Sequence, residues 1–272
     1  MPGLAGILRA SSATSPTSRR PNPESLSPAR TALAVVPAYN EVATIEGVVS
    51  SLRRFAPDFD ILVVDDGSTD QTSRVAQAAG ARVVRPAFNL GIGGAVQTGF
   101  LFANEGDYDL MVQVDGDGQH DPQELHKLVD AMAPDVDMVC GSRFLRKGEY
   151  LAPVSRRAGI HIFAWLLSRF IGQAVTDPTS GFRLYNRRAI ELFARDYPHD
   201  YPEVEAVLML HHHHLRMREI PVRMFQRGGG SSSISSGKSA YYMVKVLLAL
   251  FIGLARKRPV VAPGDRAPVS AA

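Results

Sequence analysis

Cysteine is almost missing from this chain. Cys140 is the only one in 272 residues, which excludes an intrachain disulfide and a cysteine-rich metal cluster and suits a reducing cytoplasm. Long hydrophobic runs are also missing. The most apolar stretch, 241–255, has an uninterrupted apolar part of about ten residues, against the ~20 a helix needs to cross a bilayer. A strong charge of one sign is absent too: the formal net charge is +3 and the basic residues fall in local runs (Arg19-Arg20, Arg156-Arg157, Arg187-Arg188, Arg256-Lys257-Arg258). Without a basic stripe or an aromatic-plus-basic signature, no nucleic-acid partner is expected. Gly3 to Ala10 is too short and too interrupted for the apolar core of a secretory signal.

Residues 1–30, rich in Ser, Pro, Ala and Arg, show no apolar periodicity and are expected to be a disordered tail, as are 259–272 with their repeated prolines. Between them, 31–258 has the length of one domain, and 45% hydrophobic residues supply its core. The runs 32–37, 60–65, 82–85, 109–115 and 136–140 read as strands apolar on both faces. Helical spacing covers 41–55, 71–79 (capped by Asp70), 95–104 and 122–132. Strict alternation of this kind predicts an α/β fold with a mainly parallel central sheet and helices on both faces. Beyond residue 141 the spacing predicts a helix over 156–173, a loop over 176–183, a helix near 202–213, a strand near 217–225, a Gly/Ser-rich loop over 228–237 and a helix over 239–255.

In such sheets ligands bind beyond the carboxyl ends of the strands, where every polar cluster of this chain falls. Val114-Asp-Gly-Asp-Gly-Gln-His120 closes the fourth strand. Asp115 and Asp117, one residue apart on an end opened by Gly116, suit a hard divalent cation that keeps places for diphosphate oxygens. The ion would act as a Lewis acid on the leaving group. Alone, the pair could equally be an Asp/Gly turn. Asp65-Asp-Gly-Ser-Thr-Asp70 ends the second strand, where Asp66 suits a base or ribose and Gly67 permits close approach; Asp70 reads rather as a helix cap. Pro37-Ala-Tyr-Asn-Glu41 ends the first. Asn89-Leu-Gly-Ile-Gly-Gly94 has glycines like those of a dinucleotide fingerprint, but it follows the third strand and lacks the acidic partner.

Together these motifs resemble family 2 glycosyltransferases, in particular the polyprenyl-phosphate (dolichol-phosphate mannose synthase-like) branch. Gly141-Ser-Arg143 and Asp177-Pro-Thr-Ser-Gly-Phe-Arg183 complete the set in the family's order, and the resemblance spans about 32–253. It implies a GT-A fold, a UDP- or GDP-sugar donor and Mg²⁺ or Mn²⁺ as the divalent cation. It sets Pro37, Ala38, Tyr39, Glu41, Asp66, Gly67, Asn89 and Gly93 around the nucleotide sugar, and Asp115, Asp117 and Gln119 at the metal and diphosphate. Arg143 and Arg183 would meet phosphate oxygens, where a guanidinium binds bidentately. Arg227 and Lys238, in the Gly/Ser-rich loop, would clamp the donor pyrophosphate; a plain linker is the other reading.

A hydroxyl acceptor needs a general base, and no clear Glu-Asp pair follows the Asp-X-Asp motif. A polyprenyl phosphate is already anionic, so this absence favours inverting transfer to a lipid phosphate. Asp177 is the base to consider for a hydroxyl acceptor, with Glu203 and Glu205 behind it. The competing expectations are a same-fold transferase acting on a glycan or small hydroxyl acceptor, and a nucleotide-sugar-binding protein without turnover. A lipid acceptor would call for peripheral contact with the inner face of the cell membrane or a separate membrane subunit. Residues 160–171 and 241–255 offer interfacial helices, or ordinary core packing. The run His211 to His214 points in several directions on a helix and reads as a solvated helix end.

Overall fold

The computed structural model describes residues 31–145, 154–199 and 202–225. The expectations for both tails, for Arg227 and Lys238, and for the helix over 239–255 lie outside the described residues.

Seven strands form one sheet in the order β3-β2-β1-β4-β6-β5-β7. They are β1 (Ala32–Ala38), β2 (Phe59–Asp65), β3 (Arg82–Val84), β4 (Leu110–Gln113), β5 (Met138–Ser142), β6 (Arg183–Asn186) and β7 (Met217–Pro221). The helices are α1 (Ile45–Phe55), α2 (Thr72–Ala78), α3 (Gly91–Glu105), α4 (Leu125–Ala131), α5 (Val154–Ile171), α6 (Arg187–Arg195) and α7 (Pro202–His212). Strand β1 is buried along its whole length, because its side chains alternate between two apolar layers. Leu33 and Val35 join Leu62, Val64, Phe100, Phe193 and Leu167 on one face. Ala34 and Val36 join Ile45, Val49, Leu52, Val63 and Leu128 on the other.

The expected parallel pairing holds for β1 with β2 and β4, for β2 with β3, and for β5 with β7. One strand departs from it. β6 lies antiparallel between β4 and β5, running from the last residue of the expected loop 176–183 into a stretch for which no element is predicted. Its four residues are too few for alternation to register, and their burial comes from neighbours distant in sequence. Helix α6 follows β6 directly, with the Asn186 side chain accepting the Ala189 N–H at its N-terminus.

Two element starts also shift for local reasons. Helix α1 begins at Ile45 and not Glu41, because Asn40 adopts a left-handed φ of 55° and a turn closes first, Thr44 N–H donating to Glu41 O at 3.0 Å. Asp70 does act as a cap, Oδ1 accepting the Thr72 N–H at 2.9 Å. Because β5 runs parallel to β4 and β6 runs against both, the ends of β1, β2, β4, β5 and β7 and the start of β6 share one edge. That edge carries the polar clusters.

Candidate active site

On the donor side the ends of β1 and β2 are tied into one unit. Asp66 N–H donates to Ala38 O at 2.9 Å, and Asn40 and Glu41 N–H donate to Ser68 Oγ and Thr72 Oγ1 at 2.8 and 2.9 Å. Thr69 N–H returns the contact to Asn40 Oδ1 at 2.8 Å. Asp65 is fully buried beneath this unit. Burial alone would raise its carboxyl, but hydrogen bonds from Ser68 and Ser73 and the nearby Arg85 guanidinium outweigh that and hold it below the ordinary value. Asp66 sits one residue on, its Oδ1 accepting the Leu90 N–H at 2.7 Å while its carbonyl accepts Asn89 Nδ2 at 2.8 Å. Gly67 makes that approach feasible: its φ is +80°, and a Cβ there would sit 3.3 Å from Asn89 N. Tyr39 is 50% exposed beside the unit, a ring open to a planar partner.

The loop after β4 lies against the same unit. Thr44 Oγ1 donates to Gly116 O at 2.7 Å, and a Cβ on Gly116 would come within 3.1 Å of Pro37 O, so the close contact requires glycine. Asp117 is buried, with Oδ1 accepting the Gln119 N–H at 3.0 Å. Asp115 presents its side chain at 34% exposure. His120 orients it from below. Its Nδ1 accepts the Asp115 N–H at 3.0 Å, which places the ring proton on Nε2, 3.5 Å from Asp115 Oδ2. The ring stacks on Phe182 with centroids 4.9 Å apart. Gly181 leaves room over the carboxylate, since a Cβ there would fall 3.1 Å from Asp115 Oδ1.

The other side is built from charge. Arg143, just past β5, donates Nε to Asp177 Oδ2 and Nη2 to Asp177 Oδ1, both at 2.7 Å. Its backbone N–H adds a bond to Oδ2 at 3.1 Å. Asp177 is fully buried. Asp177, expected as a possible general base, has both its oxygens holding the guanidinium in a fork. Arg183, expected at phosphate oxygens, is placed differently. It is 1% exposed and not turned out to a phosphate; it donates Nε to Ser180 O at 2.7 Å and Nη2 to Pro178 O at 3.1 Å, bracing the loop that carries Asp177 and Gly181. Its Nη1 is buried without a hydrogen-bond partner.

Residues 33–193 match the profile of glycosyl transferase family 2. The chain belongs to that family. An undecaprenyl-phosphate mannosyltransferase of Micrococcus luteus is 32% identical over 218 residues, covering 75% of this chain and 88% of its own. A polyprenol monophosphomannose synthase of Mycolicibacterium smegmatis is 29% identical over 235 residues, covering 83% and 89%. Glucosyl-3-phosphoglycerate synthase from Mycobacterium tuberculosis, solved with Mn²⁺, UDP and glucosyl-3-phosphoglycerate, superposes with a TM-score of 0.62 at 21% identity, over 85% of this chain and 82% of its own. That likeness shows the GT-A fold.

Most of this family 2 transferase's expected site residues meet at one edge. Pro37 and Ala38 at the end of β1, Glu41, Asp66, Gly67, Asp115, Gly116, Asp117 and Gln119 in the interlocked loops after β1, β2 and β4, and Asn89 just ahead of α3 lie together there. Gly93 lies apart, packed under the backbone of Pro198 and His199, where a Cβ would come within 2.7 Å; helix packing accounts for that glycine. Glu203 is half-buried on the first turn of α7; burial raises its carboxyl above the ordinary range, against the pull of Arg183 and Arg143. Burial likewise pushes the Cys140 thiol up to about 12, which makes it inert. His211 and His214 are exposed at the end of α7, as expected. His120 and Gly181 are site residues with no role in the motif reading. Both stood inside recognised motifs, but their task depends on a contact between β4 and the loop before β6.

Proposed function

We propose that this family 2 transferase moves a sugar from a UDP- or GDP-sugar to a polyprenyl phosphate by one in-line displacement with inversion. The observation that carries the reading is the Arg143–Asp177 fork. A hydroxyl acceptor needs a base to take its proton, and Asp177, the first candidate for that task, is committed to a guanidinium. A phosphate monoester is already anionic and needs a fixed cation instead. The activities named for the Micrococcus and Mycolicibacterium relatives support the same acceptor class here. In the reaction an acceptor phosphate oxygen forms the bond to the anomeric carbon. The bond from that carbon to the diphosphate breaks, and its electron pair leaves on the nucleoside diphosphate.

Asp115 and Asp117 suit Mg²⁺ or Mn²⁺, with Gln119 beside them: two carboxylates on a glycine-opened loop, one of them one-third exposed, leave coordination places for diphosphate oxygens. Mn²⁺ in the glucosyl-3-phosphoglycerate synthase structure supports this. When bound, the ion would stabilise charge on the departing diphosphate. The chain's own groups do the rest. Tyr39, Asp66 and the Pro37–Ala38 backbone shape the nucleoside side, with Glu41 and Thr44 fixing the loop. Phe225 N–H donates to Gln119 O at 2.8 Å, which ties the chain after β7 to the loop that carries Asp117.

A lipid acceptor implies contact with a bilayer at the cytoplasmic face. Among the described residues no helix is long and apolar enough to cross a membrane. Helix α5 instead exposes Ile162, Trp165 and Phe170 at 54, 67 and 42%, with Arg169 exposed beside them. At spacings of three and eight residues the three apolar side chains share one helix face, an arrangement that suits the bilayer interface.

The test has two stages. Thermal-shift scanning with UDP and GDP, with and without Mn²⁺, is expected to show metal-dependent stabilisation by one nucleotide; none by either removes the donor site. Incubation with the matching sugar donor and short polyprenyl phosphates is then expected to yield the glycosylated lipid phosphate. Product with hydroxyl acceptors alone would overturn the acceptor assignment, and donor binding without any product would leave a binding protein.

A further inference from the structure

Asp177 can hold Arg143 only if its own backbone is held, and the group that holds it comes from a strand with no other part in the site. Glu219 lies on β7, in register with Cys140 of β5. Its Oε2 accepts both the Thr176 N–H and the Thr176 hydroxyl at 2.7 Å, and its Oε1 accepts the Asp177 N–H at 3.0 Å. One carboxylate thus takes three donors from two consecutive residues. Because the Thr176 proton goes to Glu219, the 2.6 Å contact between Thr176 Oγ1 and Ser142 Oγ has Ser142 as donor. Ser142 Oγ in turn accepts the Phe144 N–H at 3.2 Å. The chain therefore runs from Glu219 through 176–177 to both flanks of Arg143. Thr179 closes it, its Oγ1 accepting Arg143 Nη2 at 2.8 Å.

We infer that Glu219 is a positioning residue for the acceptor phosphate, acting through Asp177 on Arg143; this rests on the phosphate-acceptor reading above. Charge is what makes it specific. A carboxylate offers acceptors at both oxygens, whereas an amide would turn an NH₂ group toward at least one of these donors. The loop would then relax and carry the Asp177 fork with it. The guanidinium would lose its fixed direction, although Arg143 and Asp177 remain chemically unaltered. Donor binding, housed on the other side of the sheet edge, has no such dependence.

The test uses the full chain with short-chain polyprenyl phosphates and the matching sugar donor. Glu219→Gln is expected to raise KM for the acceptor by about tenfold, as outer-shell substitutions commonly do, and to leave KM for the donor within about twofold. Glu219→Ala is expected to raise it further, so that the amide counts as a partial rescue. In the pair Glu219→Gln and Arg143→Lys, the double variant is expected to lose less than the product of the two single losses, because both act on one guanidinium. An unchanged acceptor KM, equal changes in both KM values, or fully multiplicative losses would each overturn the positioning role. If Glu219→Gln loses its native circular dichroism, Thr176→Val takes its place. That change removes one of the three donors, with an expected acceptor effect of about threefold, and no acceptor effect from a folded Thr176→Val overturns the role. Absence of polyprenyl-phosphate product from the unaltered chain is a different failure, which removes the acceptor reading and this inference with it.

Discussion

The two halves of the sheet edge are built on opposite electrostatic plans. On the donor half, the loops after β1, β2 and β4 are joined mainly by hydroxyls, amides and backbone groups, such as Asn40 with Ser68 and Thr44 with Gly116. In the proposed reaction the carboxylates of Asp115 and Asp117 would meet a cation and a diphosphate. On the other half, carboxylates are consumed internally: Asp177 grips Arg143, and Glu219 grips the backbone that carries Asp177. In the reaction proposed above, one half would offer Asp115 and Asp117 to a metal, while the other spends Asp177 and Glu219 on fixing a positive group. A leaving group that needs a metal and an acceptor that brings its own anion call for just such a division.

Four substitutions test this contrast. The largest effect is expected from Asp117→Asn, which removes charge where the donor half needs it. Transfer should fall by about 1000-fold, on the order of 4 kcal/mol of barrier, while circular dichroism shows the fold intact; near-normal turnover would dissolve the metal assignment. Asp177→Asn attacks the other half. It leaves a nearly buried guanidinium, 10% exposed, facing a neutral partner, so urea unfolding should show a loss of about 3 kcal/mol. Its acceptor KM should rise far more than its donor KM. A variant as stable as the parent chain would show that the pair contributes little to the fold.

Trp165→Ala tests where the acceptor half meets lipid. Its partition onto anionic vesicles, measured by co-sedimentation, should weaken by about fivefold with soluble-donor binding unaffected; undiminished sedimentation would remove α5 as the contact. The smallest effect concerns pH. Asp65 titrates below its ordinary 3.8 in the folded chain, so its contribution to stability is complete above that value and is lost as pH falls through the folded pKa. Asp65→Asn should therefore flatten the decline of melting temperature below about pH 4. An unchanged acid limb would mean that Asp65 is not linked to folding.

The donor half was largely legible in the linear chain. β1, β2 and β4 are apolar runs ended by Asp, Gly and Pro, and the clusters at their ends follow each strand immediately. Each cluster sits where its own strand ends, so a local pattern is enough to find it. Even the cap role of Asp70 is a local matter, settled within two residues.

The other half was not. β6 is recognisable as a strand only once β4 and β5 flank it. Arg183 looks like a phosphate ligand in a polar loop until burial shows it bracing that loop from inside. Asp177 looks like a base until the Arg143 fork occupies it. Glu219, 42 residues from Asp177, carries no motif at all.

Hydrophobic period and strand-end chemistry are local properties, so the linear chain already carries the alternating strands and helices and the strand ends where the polar clusters gather. Which charges are paired, and with what, follows from the fold alone. Pairing depends on burial and on distances between residues far apart in the chain, and neither is written in any local pattern.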